Sequence, residues 1–140
     1  MKTNLNRRQF LRTNLGLTLA AGVFPSIIPA TVLGQGNRPA PSNRITVGGI
    51  GLGPQGRGVM GGFLGQASAQ VVAVCDVKND QLELARTAVN QRYGNTDCKT
   101  YADFREVLAR PDLDAVLIAT PDHWHCHVAT AAARAGKDMY

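Results

Sequence analysis

Ile45-Thr46-Val47-Gly48-Gly49-Ile50-Gly51-Leu52-Gly53-Pro54-Gln55-Gly56-Arg57-Gly58-Val59-Met60 is the stretch that decides the fold. Ile45, Val47 and Ile50 open an apolar run that ends in glycines, so a first strand is expected over residues 44–50. Nine of the 15 glycines fall between Gly48 and Gly65. Within that segment Val59, Met60, Phe63 and Leu64 recur at helical spacing,. The pattern is a strand, a glycine turn and a helix with one apolar face. Gly61 and Gly62 each weaken that helix by about 1 kcal/mol relative to alanine, which close packing on a sheet would justify.

The unit then repeats in kind. Val71-Val72-Ala73-Val74-Cys75 is a continuous apolar run ending at Asp76, as in parallel strands covered on both faces. Asn79 is placed to cap the next helix, Leu82, Ala85, Ala88 and Val89 supply its apolar stripe, and Tyr93-Gly94 ends it,. Lys99–Tyr101 reads as a short third strand. Asp103 and Glu106 have capping-box spacing before a helix that stops near Pro111,. Residues 115–119 form the clearest strand. A helix follows from Asp122 to Ala135 with Gly136 at its end, and Asp138 begins another strand,. Alternating strands and crossover helices predict an α/β fold: a Rossmann-like, doubly wound parallel sheet.

Gly51-Leu52-Gly53-Pro54-Gln55-Gly56 fits G-x-G-x-x-G between that strand and that helix. Gly51 permits the tight turn, Gly53 lets the backbone approach a pyrophosphate, and Gly56 lets the helix pack on the strand. Free N–H groups at the helix start, Gln55 among the first, attract phosphate; Arg57 is a candidate side-chain contact. Asp76 lies 25 residues after Gly51 at the end of the second strand. A carboxylate there accepts from the ribose hydroxyls and repels a 2′-phosphate. NAD is therefore expected over NADP, with Lys78 placed to offset part of that preference. The bland alternative is a structural glycine loop beside a helix-capping aspartate.

All three histidines lie in His123-Trp124-His125-Cys126-His127. His and Cys are zinc ligands, but on a helix His125 sits about 160° from both His123 and His127. No metal is expected. Thr120 and Pro121 follow a parallel strand, where open α/β sheets bind ligands. They are expected under the nicotinamide half, with His125 facing the same crevice. Trp124 and His127 read as packing residues. Three cysteines, Cys75, Cys98 and Cys126, are too few for a disulfide scaffold and read as small hydrophobes,.

The first 30 residues differ from the rest. They hold four of the 15 basic residues (Lys2, Arg7, Arg8 and Arg12) and none of the 10 acidic ones. The remaining 11 basic and 10 acidic residues leave +1 of the formal +5, so nucleic-acid binding is not expected. Arg7-Arg8-Gln9-Phe10-Leu11 precedes a segment, Thr13 to Asn37, without a charged residue. Pro25 and Pro29 interrupt its apolar part, and Ala30 follows. A spanning helix needs about 20 apolar residues; this layout reads instead as an export signal, similar to the twin-arginine class. The expected division is a signal peptide at 1–30, a flexible lead-in at 31–43 and a nucleotide-binding domain at 44–140. The product is expected outside the cytoplasm, periplasmic or extracellular, and membrane-tethered if the signal is retained.

Residues 44–140 resemble the N-terminal part of the Gfo/Idh/MocA oxidoreductase family, in particular exported members. The resemblance is carried by Ile50 to Gly58, by Val74-Cys75-Asp76-Val77, and by Tyr101 to Leu108. Asp114 to His125 and Ala135-Gly136-Lys137-Asp138-Met139-Tyr140 complete it. It implies an NAD(P)-binding domain followed by an α+β domain that carries a catalytic histidine, and hydride transfer to or from a sugar, inositol or related polyol. It also implies a Glu-Lys-Pro motif shortly after Lys137, its lysine catalytic. The sequence stops at Tyr140, before that motif. The expectation is a truncated product or an excerpt of a longer chain, with no catalytic residue of its own. It would bind a dinucleotide and be inactive alone, with an exposed sheet edge open to homo-oligomer formation. The rival readings are a binding-only or degenerate fragment, and an exported structural protein that reuses the fold.

Changing both Arg7 and Arg8 to lysine is expected to block export of a fused reporter that requires transport in the folded state. Undiminished export of the double variant would remove the twin-arginine reading.

Overall fold

The computed structural model describes residues 39–140. Residues 1–38, on which the expected export signal and the start of the expected lead-in fall, lie outside the described residues. Five strands form one parallel sheet: β1 (Ile45–Ile50), β2 (Ala69–Cys75), β3 (Lys99–Tyr101), β4 (Ala115–Ile118) and β5 (Asp138–Met139). They lie in the order β3-β2-β1-β4-β5. Four helices provide the crossovers: α1 (Pro54–Gly65), α2 (Asn79–Tyr93), α3 (Phe104–Leu108) and α4 (Asp122–Arg134). This is the doubly wound arrangement expected from the sequence, with the strand order reversing between β1 and β4.

Side-chain alternation along the strands builds two cores. Val47, Val71, Val74 and Leu117 point to one face, where Met60 and Leu64 of α1 and Leu82, Ala85 and Val89 of α2 cover them. Ile50, Ala73, Cys75, Val116 and Ile118 point to the other, against Val107 and Leu108 of α3 and Val128 and Ala132 of α4. Because both faces are covered, the central strands are apolar throughout instead of alternating. β2 starts two residues earlier than its apolar run. It also carries one extra residue against β1: Val47 pairs with Val71, whereas Gly48 pairs with Ala73. Val72 is the bulged residue.

Several local expectations are corrected. Within the stretch read as a lead-in, Pro41–Asn43 makes one turn of 3-10 helix. Proline fixes φ there, and Arg44 Nε donates to the Pro39 carbonyl at 2.9 Å. Asn79 is the first residue of α2 and not its cap; Lys78 occupies that place in extended conformation. Its N–H, like that of Leu52, is taken by the Asp76 carboxylate. Asp103 does cap α3, but through the Arg105 N–H at 2.9 Å. Helix α2 ends on Gly94, whereas α4 ends on Ala135 with Gly136 one residue beyond; both glycines have positive φ.

Lys137 explains its own place after Gly136. Its ammonium donates to the carbonyls of Arg110 (2.7 Å) and Leu113 (2.8 Å), fastening the loop that leads into β4. On the other side of that loop Asp114 Oδ2 accepts from the Thr46 N–H at 2.7 Å and from its hydroxyl at 2.8 Å. The Thr46 N–H, followed by the hydroxyl, holds the Asp114 carboxyl below its ordinary value. A depressed carboxylate stabilises the fold above its unfolded pKa of 3.8, and that contribution is lost as pH falls through the folded value,. Asp114→Ala is therefore expected to lower the melting temperature at pH 7. The gap to the parent should hold down to the ordinary carboxylate range and close below it. A gap independent of pH down to full protonation would show that the charge contributes nothing.

Candidate functional site

The C-terminal ends of β1, β2, β3 and β4 open onto a cleft of about 880 Å³. The β1–α1 turn forms its floor. Gly51 has φ +79°, and a Cβ there would stand 2.8 Å from the Ala119 carbonyl carbon and the Thr120 nitrogen. Both the backbone conformation and the close approach of β4 require glycine. At Gly56 a Cβ would run into the Gly51 carbonyl oxygen, so α1 is packed as close to β1 as the chain allows. Gly53 is different. Its φ is −59°, open to any residue, and a Cβ would meet nothing within 4 Å. The bare backbone at Gly53 serves no contact within the protein and leaves space in the cleft. Helix α1 begins beside it, with Gly53 as cap and Pro54 in its first turn. Its early N–H groups, including that of Gln55, lack helical partners.

Asp76 stands at the end of β2. One carboxylate oxygen accepts from the Leu52 N–H at 2.7 Å and the other from the Lys78 N–H at 2.9 Å. These bonds fix the carboxylate on the rim and leave lone pairs for a further donor. Across the cleft the Thr120 hydroxyl is buried and has no partner among the described residues. An unpaired buried hydroxyl costs about 1–3 kcal/mol, which a ligand polar group would recover. An anion-seeking helix start, a carboxylate and an unpaired hydroxyl around an open backbone fit a ribose–pyrophosphate chain.

Gly51, Gly53, Gln55, Asp76, Thr120 and Pro121 line the cleft as placed by the sequence reading. Gly56 lies buried behind the turn. Arg57 does not face the cleft: its guanidinium donates to the Leu52 carbonyl at 2.9 Å and to the Gln81 side chain. There it braces the turn against α2. His125 is exposed and stands off the cleft wall, where His123 and Trp124 stand instead. His123, Trp124 and Val128 of α4 line the cleft. His125, whose N–H donates to the Pro121 carbonyl at 3.0 Å, is outside that wall although Val128 lies further along the helix, so the side of α4 and not the distance from its start decides. His127 packs edge-on against Phe104 and Trp124. Among the described residues no three His, Cys, Asp or Glu side chains gather as a metal site. Cys75 also lines the cleft, and burial, with the neighbouring Asp76, Asp103 and Glu106 charges, pushes its thiol up to about 12. It stays neutral at physiological pH. Val77, Phe104 and Arg105 complete a wall that hydrophobic periodicity did not signal.

A model of the oxidoreductase family with the NAD-binding Rossmann fold, Gfo/Idh/MocA, matches residues 45–140. The chain belongs to this family. A glycosyl hydrolase family 109 protein of Saccharopolyspora erythraea is 35% identical over 99 residues, 68% of this chain and 21% of that protein. Among solved structures, scyllo-inositol dehydrogenase from Lactobacillus casei, with bound NAD(H) and scyllo-inositol, superposes with a TM-score of 0.60. It shares 25% identity, over 69% of this chain and 27% of that one. Myo-inositol dehydrogenase from the same organism, in complex with NAD(H) and myo-inositol, gives a TM-score of 0.60 at 28% identity with the same coverage. The chain thus spans between a fifth and a third of the length of these relatives.

The glycines make separable predictions. Gly56→Ala is expected to destabilise the fold by about 1–3 kcal/mol through overpacking. Gly53→Thr retains a residue of similar capping strength in open space and should leave the denaturation midpoint near that of the parent. Urea unfolding measures both; equal losses would mean that Gly53 is also a packing glycine.

Proposed function

We propose that this chain is the dinucleotide-binding portion of an exported NAD(P)-dependent oxidoreductase acting on a sugar, inositol or related polyol. The carrying observation is the bare Gly53 backbone facing the cleft between the start of α1 and the Asp76 carboxylate. In this reading the α1 N-terminus receives the pyrophosphate. Asp76 accepts from the adenosine ribose, and Thr120 and Pro121 lie under the nicotinamide half. Bound dinucleotide would supply the hydride acceptor or donor. Polyol turnover also needs a proton acceptor within hydrogen-bond reach of the reacting hydroxyl. We assign that group to the portion of the relatives that these 140 residues do not span, so the 140 residues alone bind without turnover. The Asp76 carboxylate supports NAD over NADP, since a 2′-phosphate would meet its charge. The Arg7-Arg8 segment supports export by the twin-arginine route.

The relationship to a glycosyl hydrolase family 109 protein favours a second reading, glycosidic-bond cleavage with a bound dinucleotide. NAD-dependent glycosidases exist. Both readings use the same cleft and differ in outcome: a dehydrogenase accumulates reduced or oxidised dinucleotide, and a glycosidase releases free sugar with no net redox change.

Calorimetric titration of the chain with NAD and NADP tests the shared part. NAD is expected to bind more tightly. Asp76→Ala should weaken NAD by about tenfold, corresponding to about 1.4 kcal/mol for a charged hydrogen bond, and narrow the gap to NADP. Gly53→Thr should weaken both. Equal NAD affinity in Gly53→Thr and the parent would place the phosphates elsewhere. Turnover of inositol with NAD by the 140-residue chain would overturn the assignment of the proton acceptor.

A further inference from the structure

At the pole of the sheet opposite the cleft, Arg44 before β1, Gln66 after α1, and Arg92 and Tyr93 at the end of α2 line a second, small cavity of about 70 Å³. A water needs roughly 10–15 Å³ of such space, so one small polyatomic ion fits. Two guanidinium groups line it, and no carboxylate does. The ion pairs among the described residues use Arg86, Arg105 and Arg110, and neither Arg44 nor Arg92 takes part in one. Both are fixed by neutral acceptors instead. Arg44, half-buried, donates from Nε to the Pro39 carbonyl at 2.9 Å and from a terminal nitrogen to the Gln70 side chain at 3.3 Å. Arg92, on the exposed rim, donates from Nε to the Leu64 carbonyl at 3.0 Å. Its terminal nitrogens have no partner among the described residues. The Tyr93 hydroxyl accepts from the Val71 N–H at 3.0 Å, which leaves its own hydrogen to donate.

We propose that this cavity binds a small tetrahedral oxyanion, of the class of phosphate or sulfate, between Arg44, Arg92 and the Tyr93 hydroxyl. Two like charges lining one small cavity repel each other, and a doubly charged anion between them replaces that repulsion with charge-assisted hydrogen bonds. A planar guanidinium offers such an oxyanion two donors at once. The plainer role of Arg92, capping the last carbonyls of α1, uses its Nε alone,. That bond, and the Gln66 N–H on the Phe63 carbonyl at 3.0 Å, also occupy the helix-end carbonyls that would repel an anion there. Because Arg44 holds Pro39 as well, a bound anion would fasten the stretch ahead of β1 to the end of α2. The site shares no lining residue with the dinucleotide cleft and does not depend on that reading.

Nuclear magnetic resonance of the 140-residue chain, titrated with inorganic phosphate at constant ionic strength, tests the site. The Nε–H signals of Arg44 and Arg92 and the Val71 amide are expected to shift together and to saturate. Chloride at the same ionic strength should leave them in place. Phosphate at the start of α1 would report separately, through the Gln55 amide. Arg92→Gln should weaken phosphate at the Arg44 signal by about tenfold, the scale of one charge-assisted bond, and leave the Gln55 response unchanged. Arg92→Lys keeps the charge without the fork and should recover only part of the loss. Tyr93→Phe should weaken phosphate less than Arg92→Gln does. Circular dichroism checks that each variant is folded; if Arg92→Gln is not, Arg44→Gln is expected to weaken phosphate at the Arg92 signal in the same way. Shifts that fail to saturate, that chloride reproduces, or that survive the arginine substitutions would overturn the proposal. Glycerol phosphate bound as tightly as phosphate would support the site and extend it to phosphate monoesters. Acetate bound as tightly as phosphate would overturn the assignment to a tetrahedral, doubly charged ligand.

Discussion

The bond between the Leu52 N–H and the Asp76 carboxylate, 2.7 Å long, ties the ends of β1 and β2 where the chain turns into α1. Around it the packing leaves no freedom. Gly51 is pressed against the Ala119–Thr120 peptide, and Gly56 sits against the Gly51 carbonyl. Strands β1, β2 and β4 and helix α1 are thus locked at one point, and the cleft is the space that this point cannot fill. The same carboxylate stabilises the turn and lines the cleft.

That economy separates the glycines by role. Gly51 and Gly56 are needed by the protein itself, because backbone atoms of neighbouring segments occupy the places of their side chains. Gly53 is needed by nothing in the protein, which is why its open side is the firmest sign of a ligand. The unpaired Thr120 hydroxyl on the opposite wall is a second such sign, since folded chains rarely leave a buried hydroxyl without a partner.

The family relationship and the cleft agree on a dinucleotide, while the names of the relatives differ in the chemistry they state. Inositol dehydrogenases and a glycosyl hydrolase family 109 protein each match about two thirds of this chain. One fold can host different activities, so function has to be argued from the site.

By itself the sequence determined the α/β class, the strand and helix order, the glycine turn and the position of Asp76. These follow from local signals: apolar runs, helical periodicity, and glycine where a side chain would clash. Positions such as Arg57 and His125 were beyond it. Whether Arg57 turns toward a phosphate or toward Gln81 depends on how close α2 lies to α1. Which residue of His123 to His127 reaches the cleft depends on which side of α4 faces it. The wall built from Val77, Phe104, Arg105 and Trp124 was beyond it for the same reason. Its members come from the ends of three different strands, and only the packing of α3 and α4 on one face of the sheet brings them together.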